Sequence, residues 1–500
     1  MTHPSYQQLA ADPAAPRDVF MAWGGSLMAD GSPREAVAAF REGIRRFPDD
    51  AGLLNGCGLA RHAMGAYEEA ARDFEAALRH APHTGVIAYN LGNARKEQGD
   101  LPGAATAYVQ ALEWGPPAPH MFNNLGLVFQ ETGDTERACL AFRSALELDD
   151  RFVPASLNLG YLLIHLREPA RAAGVLEAAL SHEPANADAH WLLSHALLVM
   201  GDLQRGWREY EWRWAKMTQA SYRRKDPSRQ WAGEPLEGKR ILLYAEQGLG
   251  DAIQCARYIP MVAAAGGEVH VECQPELAAV MASVEGVHVV HTRGSVVPPC
   301  DRECPLMSLP GVFGTTLDAV PAAVPYVRTE SVKRAAWRSW CDAGSDALRV
   351  GIVWAGNPAH ANDAQRSLPS AHLGALTAVP GVEWIGLQKG VGADPRLHVP
   401  EGVRLRDAGP ELRDLGDTAA LLTQLDLVVT VDTAVAHLAG ALGVPVWILV
   451  PYAPDWRWLL EGGTTPWYPT ARLYRQPAPQ DWNAVIARVR TDLAHLAAAH

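Results

Sequence analysis

Cysteine is scarce in this chain: seven in 500 residues, an odd number scattered over its length, which argues against a disulfide framework. The nearest pair, Cys300 and Cys304, has no second His/Cys pair beside it at zinc spacing, so structural or incidental thiols are expected there. A basic excess is also missing. Against 56 acidic residues stand 44 lysines and arginines, a formal charge of −12. Wide phosphate-backbone binding needs a positive stripe, so nucleic acid is not an expected partner. No long apolar run occurs either. The greasiest stretch, 425–451, is broken by Asp426, Asp432, His437 and Pro445, so no membrane span or integral membrane contact is expected. Residues 1–16 are polar and rich in Pro and Ala, without the apolar core of a signal peptide. They read as a flexible N-terminus on a cytoplasmic protein. With 48% hydrophobic and 20% charged residues the composition is that of a globular protein, not a disordered or fibrous one. At roughly 100–200 residues per domain, the length suggests about two to four domains.

What the first half has is periodicity. Gly24, Gly58, Gly92, Gly126 and Gly160 follow one another at steps of 34 residues. Twelve residues after each stands an alanine (Ala36, Ala70, Ala104, Ala138, Ala172), and four further on a large apolar residue (Phe40, Phe74, Tyr108, Phe142, Leu176). A second glycine series, Gly31, Gly65, Gly99, Gly133 and Gly201, marks a turn within each unit. Pro48, Pro82, Pro116 and Pro184 help set the boundaries between units, with Asp150 as the exception. Small residues let two antiparallel helices approach, and the large side chain fills the space between them. One such hairpin cannot bury its apolar face alone, so several must stack into a solenoid. The pattern resembles the tetratricopeptide repeat. It gives five clear units and a sixth, degenerate one (Ser194, Gly206, Tyr210), together spanning 17–218. In that family a concave groove receives a peptide or protein. Asn90, Asn123, Asn124 and Asn158 fall on first helices, where they either line such a groove or face water.

Residues 219–239 are charged and carry Pro227, Gly233, Pro235 and Gly238, which reads as a linker. Beyond it, strand, glycine turn and helix follow in order: Ile241–Ala245, then Glu246-Gln-Gly-Leu-Gly-Asp251, then a helix to about Ala265. Val269–Glu272 and Val287–His291 read as further strands, with a helix at Glu276–Val284 between them. After a connection at 331–349 the pattern restarts with strands Val350–Ala355, Trp384–Gln388, Leu427–Val431 and Val446–Val450. Helices are expected at about 370–378, 417–424 and 434–442, and a tail helix at 479–500. Two such series imply two Rossmann-like lobes, 240–330 and 350–478, with ligands beyond the carboxyl ends of their strands.

Chemistry-bearing residues collect at those ends. Asp432 and Thr433 stand where a strand runs into a helix, and the N–H groups of Thr433, Ala434 and Val435 would offer an anion site. Asp432 could equally be a helix cap. His437, one turn in, is either a ligand contact or a packed histidine. Asp455, Trp456, Arg457 and Trp458 follow the last expected strand; their polar-aromatic alternation suits a sugar platform, unless the tryptophans close a core. The chain contains no Asp-x-Asp pair, so a bound divalent metal is not expected.

Three segments, Gly248-Leu-Gly-Asp251, Asp432-Thr-Ala-Val-Ala-His437 and Pro451-Tyr-Ala-Pro-Asp-Trp-Arg-Trp458, make 240–475 resemble the GT-B glycosyltransferases of the bacterial heptosyltransferase type, in versions fused to tetratricopeptide repeats. The fold expectation is thus an all-α repeat solenoid followed by a GT-B fold of two lobes. The resemblance implies an inverting, metal-independent transferase without a cofactor. A nucleotide-sugar would sit on the second lobe and the acceptor on the first, beside Gln247, Gly248 and Gly250. Asp251 matches the family's general base, although it could also cap its helix. Arg366 aligns with a phosphate-contacting lysine. Asn357, Lys389, Asp417 and Thr418 fall in neighbourhoods that the family uses around the nucleotide. Protein glycosylation, flagellin being one form of acceptor, is the first reading. A lipopolysaccharide or other glycan precursor is the second, and a scaffold that has lost activity is the third. Oligomeric state stays open.

Overall fold

The computed structural model describes residues 3–216, 226–342, 347–360, 362–389, 403 and 405–500. The expected linker and inter-lobe connection thus lie partly outside the described residues, at 219–225 and 343–346. The chain divides into two compact units, one made of Met1–His165 and Gly174–Ala189, the other of Leu166–Ala173 and His190–His500.

The first unit is a series of helical hairpins: Arg17–Ala29 with Pro33–Arg46, Ala51–Ala63 with Tyr67–His80, Gly85–Gln98 with Leu101–Trp114, and Pro119–Glu131 with Thr135–Leu148. The glycine period is explained by contact distance. A Cβ added at Gly58 would lie 2.6 Å from the Phe74 ring, and one at Gly126 would lie 2.6 Å from that of Phe142. No side chain fits there, so the helices close onto the aromatic ring. Residues 3–16 differ from the expected flexible segment. His3–Ala10 is a helix, and Arg46 donates at 2.8 Å to the carbonyls of both Ala10 and Asp12. These two hydrogen bonds tie down a stretch whose composition alone reads as loose.

The second unit holds two parallel sheets. In the first lobe, β1 (Arg240–Tyr244), β2 (Glu268–Cys273), β3 (Val287–Thr292) and β4 (Arg302–Pro305) are ordered β3-β2-β1-β4. In the second lobe, β5 (Leu348–Val353), β6 (Val382–Gly386), β7 (Leu405–Asp407), β8 (Leu427–Val431), β9 (Val446–Val450) and β10 (Ala471–Arg475) are ordered β10-β9-β8-β5-β6-β7. The strands β8 and β9 are buried at every position, as parallel strands covered on both faces must be. Strand order reverses between β1 and β4 and again between β5 and β8, and crevices open at the carboxyl ends of those pairs. The segments there are Glu246–Asp251 in the first lobe, and Trp354–Asn357 and Asp432–Thr433 in the second.

One boundary differs from the sequence reading. The helix Leu203–Tyr210 and the short helix Arg213–Lys216, assigned above to the repeat domain, belong to the second unit. Leu203, Trp207 and Tyr210 share a core with Ile241, Leu306 and Trp456, and that burial outweighs their repeat ancestry. The tail helix Trp482–Ala499 buries Trp482, Val485, Ile486, Val489 and Leu493 in the core of the second lobe, with Val350, Trp384 and Val429. Its apolar stripe packs against the sheet of that one lobe.

Candidate functional site at the junction of the two lobes

The site begins with two helix starts that meet. In the first lobe, Gly248 precedes the helix Leu249–Cys255, and Asp251 Oδ2 accepts a hydrogen bond from the Gly248 N–H at 2.8 Å. In the second lobe, Thr433 precedes the helix Ala434–Leu442. A Cβ on Gly250 would lie 2.7 Å from His437 Cδ2 and 3.5 Å from Ala434 Cα. Glycine at 250 therefore permits the approach. The first N–H groups of a helix have no partner one turn back, so each start carries the positive end of its helix dipole.

Arg457 links the lobes. Its guanidinium donates to Asp251 Oδ1, to Gln254 Oε1 and, at 2.8 Å, to Asp455 Oδ1, and it lies 4.2 Å over the Trp456 ring. Burial disfavours its charge, but Asp455 and Asp251 outweigh that and hold the guanidinium more firmly protonated than usual. Asp251 keeps a quarter of its side chain exposed, so the carboxylate is both held and reachable. Arg366 donates at 3.2 Å to the Asp432 carbonyl and pairs at 3.2 Å with Asp363. His437 is buried and stays neutral: desolvation, then Arg457 and Arg257, pull its pKa well down. Its Nδ1 sits 2.9 Å from the Tyr468 hydroxyl, and its ring stacks on Trp458. That is a packed histidine at the back of the site.

Asp432 is half-buried, and its carboxyl is pushed up to about 6, first by desolvation and then by the charge of Asp455. A raised carboxyl pKa means that the folded chain binds the extra proton, so stability declines as pH climbs from about 4 to about 6 and the cost is complete above that. Asp432→Asn removes the cost. The variant is expected to exceed the parent by roughly 1–3 kcal/mol above pH 7. Below about pH 4 the two should melt together. Thermal melts across that range check it.

Several expected site residues are engaged elsewhere. Trp456 is buried, set edge-on to Trp207 at 5.0 Å and to Trp467 at 5.5 Å, and Trp458 is fully enclosed. The sugar platform is thus corrected to core: the rings have no free face. The Lys389 ammonium donates to the Leu412 carbonyl, and Asn357 Oδ1 accepts from Ala359 N at 3.0 Å, closing its own turn. Asp417 pairs with Lys333 at 3.0 Å, and Thr418 Oγ1 donates to the Asp414 carbonyl. The cap of the helix Leu415–Leu422 is Asp414, so neither Asp417 nor Thr418 opens it. The Gln247 carbonyl accepts from Gln274 at 2.9 Å. The asparagines form a ladder between successive repeats: Asn90 donates to Asn55, Asn124 to Tyr89 and Asn93, and Asn158 to Asn123, all at 2.9–3.1 Å. Their amides therefore bridge units, a third outcome besides groove or solvent.

Sequence reasoning missed Glu246, buried beside the glycine turn and paired with Arg213 at 3.0 Å. A charged residue directly after a buried strand was the available signal. It also missed His360. Partial desolvation, then Arg366, lower the pKa of its exposed imidazole, while Asp363, Asp251 and Asp455 oppose that. Among the described residues no group of three or more His, Cys, Asp or Glu could hold a metal ion. No described helix is long and apolar enough to cross a membrane.

With this geometry in view, the comparisons with known proteins divide along the chain. The tetratricopeptide repeat model matches residues 21–83, 89–151 and 157–210. The model of glycosyltransferase family 9 (heptosyltransferase) matches 409–453, which takes in β8, the helix Ala434–Leu442 and β9. The chain thus joins segments that match the tetratricopeptide repeat model to an α/β region part of which matches the glycosyltransferase family 9 model. Among individual proteins it is similar to Protein FlbA of Caulobacter vibrioides, at 28% identity over 386 residues. That match covers 69% of this chain and 62% of FlbA, so under two thirds of the relative is spanned. Two solved structures have lower similarity. YrrB, described as a TPR protein with an unusual peptide-binding site, is 19% identical, with 35% of this chain and 90% of that one covered and a TM-score of 0.32. PilF of Pseudomonas aeruginosa is 18% identical, with 43% and 100% covered and a TM-score of 0.36.

Proposed function

We propose that the second unit is a GT-B glycosyltransferase that moves a sugar, with inversion and without a metal, from a nucleotide-sugar on the second lobe to an acceptor hydroxyl on the first. The observation that carries this reading is the approach of Gly250, next to Asp251, to Ala434 and His437 of the helix Ala434–Leu442 at the lobe junction. In this scheme Asp251 takes the acceptor hydroxyl's proton while the oxygen attacks the anomeric carbon. The departing phosphate gains negative charge, which the amides of Thr433–Val435 and the Arg366 guanidinium offset. The repeats would capture a protein acceptor, flagellin being one form. The family description, heptosyltransferase, favours a glycan precursor as the second reading.

A thermal-shift panel tests the donor half of the proposal. The full-length chain is heated with UDP-glucose, UDP-N-acetylglucosamine, GDP-mannose, ADP-heptose or CMP-sialic acid, each with magnesium or with a chelator. One donor at about 100 times its Kd should stabilise by about 2.7 kcal/mol, equally under both conditions. No shift with any member of the panel would count against the reading, and a shift needing magnesium would remove its metal independence.

A further inference from the structure

The turn glycines of the repeats, Gly31, Gly65, Gly99, Gly133 and Gly201, all have φ between 71° and 87°. Thirty-four residues after Gly133 the slot holds Arg167, which adopts the same left-handed backbone at φ 62°. An L-residue there costs about 1–2 kcal/mol that glycine would not. What the arginine gains is visible within the second unit, to which Leu166–Ala173 belongs. Its Nη2 donates to the Leu460 carbonyl at 2.6 Å, and its guanidinium lies 5.2 Å over the Tyr452 ring.

A second arginine holds the same loop. Arg475, at the end of β10, donates to the carbonyls of Trp458, Leu459, Glu461 and Gly462. Five successive carbonyls, 458 to 462, are thus gripped by two guanidinium groups. Burial and the neighbouring Arg167 charge pull Arg475 down to about 10, so the two cations are close enough to repel. Between them Leu459 is held at φ 53° and ψ −179°, a conformation that is ordinarily glycine's. The strained loop follows directly on Arg457, whose guanidinium pairs with both Asp251 and Asp455.

We propose that Arg167 is a positioning residue: with Arg475 it fixes the 458–462 loop in the shape that aims Arg457 at the Asp251 carboxylate. The effect on the loop stands on the geometry alone. The effect on turnover rests on the transferase reading above.

Arg167→Gly is a sharp test because it restores the residue that the other turns use and relieves the backbone. Hydrogen exchange on the full-length chain, followed by mass spectrometry, reads the loop directly. Arg167→Gly should raise exchange in peptides covering 452–463 by about threefold or more, leave 153–165 unchanged, and be partly reversed by Arg167→Lys. Unchanged protection of 452–463 overturns the proposal. The second readout is nucleotide release from the five sugar nucleotides named above. The glycine variant should lose about tenfold in kcat with KM held within about twofold, the lysine variant lying between. Looser exchange with kcat unaltered would overturn the positioning role. Absence of release by the wild-type chain from every donor would count against the transferase reading, and the exchange result would then decide the loop alone.

Discussion

Asp251→Asn is expected to reduce glycosyl transfer by at least about a hundredfold while changing the affinity for the released nucleotide by less than about threefold. Both oxygens of this carboxylate have defined neighbours: Oδ2 accepts from the Gly248 N–H and Oδ1 faces Arg457. An amide can keep the first bond, so the helix start survives. It cannot take a proton from an incoming hydroxyl, and its NH2 group would oppose Arg457. Asp251→Ala should abolish transfer as well, with greater disturbance of the helix start. Affinity is spared because the nucleotide belongs to the other lobe in this reading. Nucleotide release measures turnover, and calorimetry with the free nucleotide measures affinity. Normal turnover in the asparagine variant would remove Asp251 from the role of base.

The contrast between the two halves of this residue's environment shows what could be read in advance. Asp251 and the helix start at Thr433 were both legible, because each is local: strand, turn, helix, with the polar residue at the turn. Their meeting depends on Gly250, whose missing Cβ leaves room for His437, and single glycines inside a turn do not announce such a partner. The pairing of Asp251 with Arg457 joins positions 206 apart and was not predicted, although each residue was singled out for another reason. Trp456 was open to two readings, and burial against Trp207 and Trp467 selected the core. Among the strands, β8 and β9 declare themselves as continuous apolar runs. The strands β4, β7 and β10 read Arg-Glu-Cys-Pro, Leu-Arg-Asp and Ala-Arg-Leu-Tyr-Arg, too short or too charged for a periodicity argument. The repeats were the most legible part, since a 34-residue period records the same helix contact many times. Even there, the allegiance of the last hairpin depended on partners outside the repeats, such as Ser308, 95 residues from Arg213.

Arg213 carries the largest expected effect on stability. It is wholly buried, donating at 3.2 Å to the Tyr210 carbonyl, at 2.8 Å to Glu211, at 3.0 Å to Glu246 and at 2.8 Å to Ser308. Glu246 has no exposed side-chain surface, and its Oε2 has no hydrogen-bond partner among the described residues. Desolvation pushes its carboxyl up to about 7 even though Arg213 opposes the shift. Arg213→Met fills the space but strands that carboxylate, and the second unit should lose about 3–5 kcal/mol at pH 8. The sign with pH follows from the same site. Without its counter-ion Glu246 becomes a still weaker acid, and as the neutral acid it needs no cation. The deficit should therefore shrink as pH falls from about 8 towards 5. Adding Glu246→Gln to Arg213→Met should recover most of the loss at pH 8 and little at pH 5, because the second change removes only the stranded charge. Urea titrations of the single and double variants at the two pH values measure it. A loss equal in all four conditions would mean that Arg213 stabilises the unit by packing alone and that its pairing with Glu246 contributes nothing.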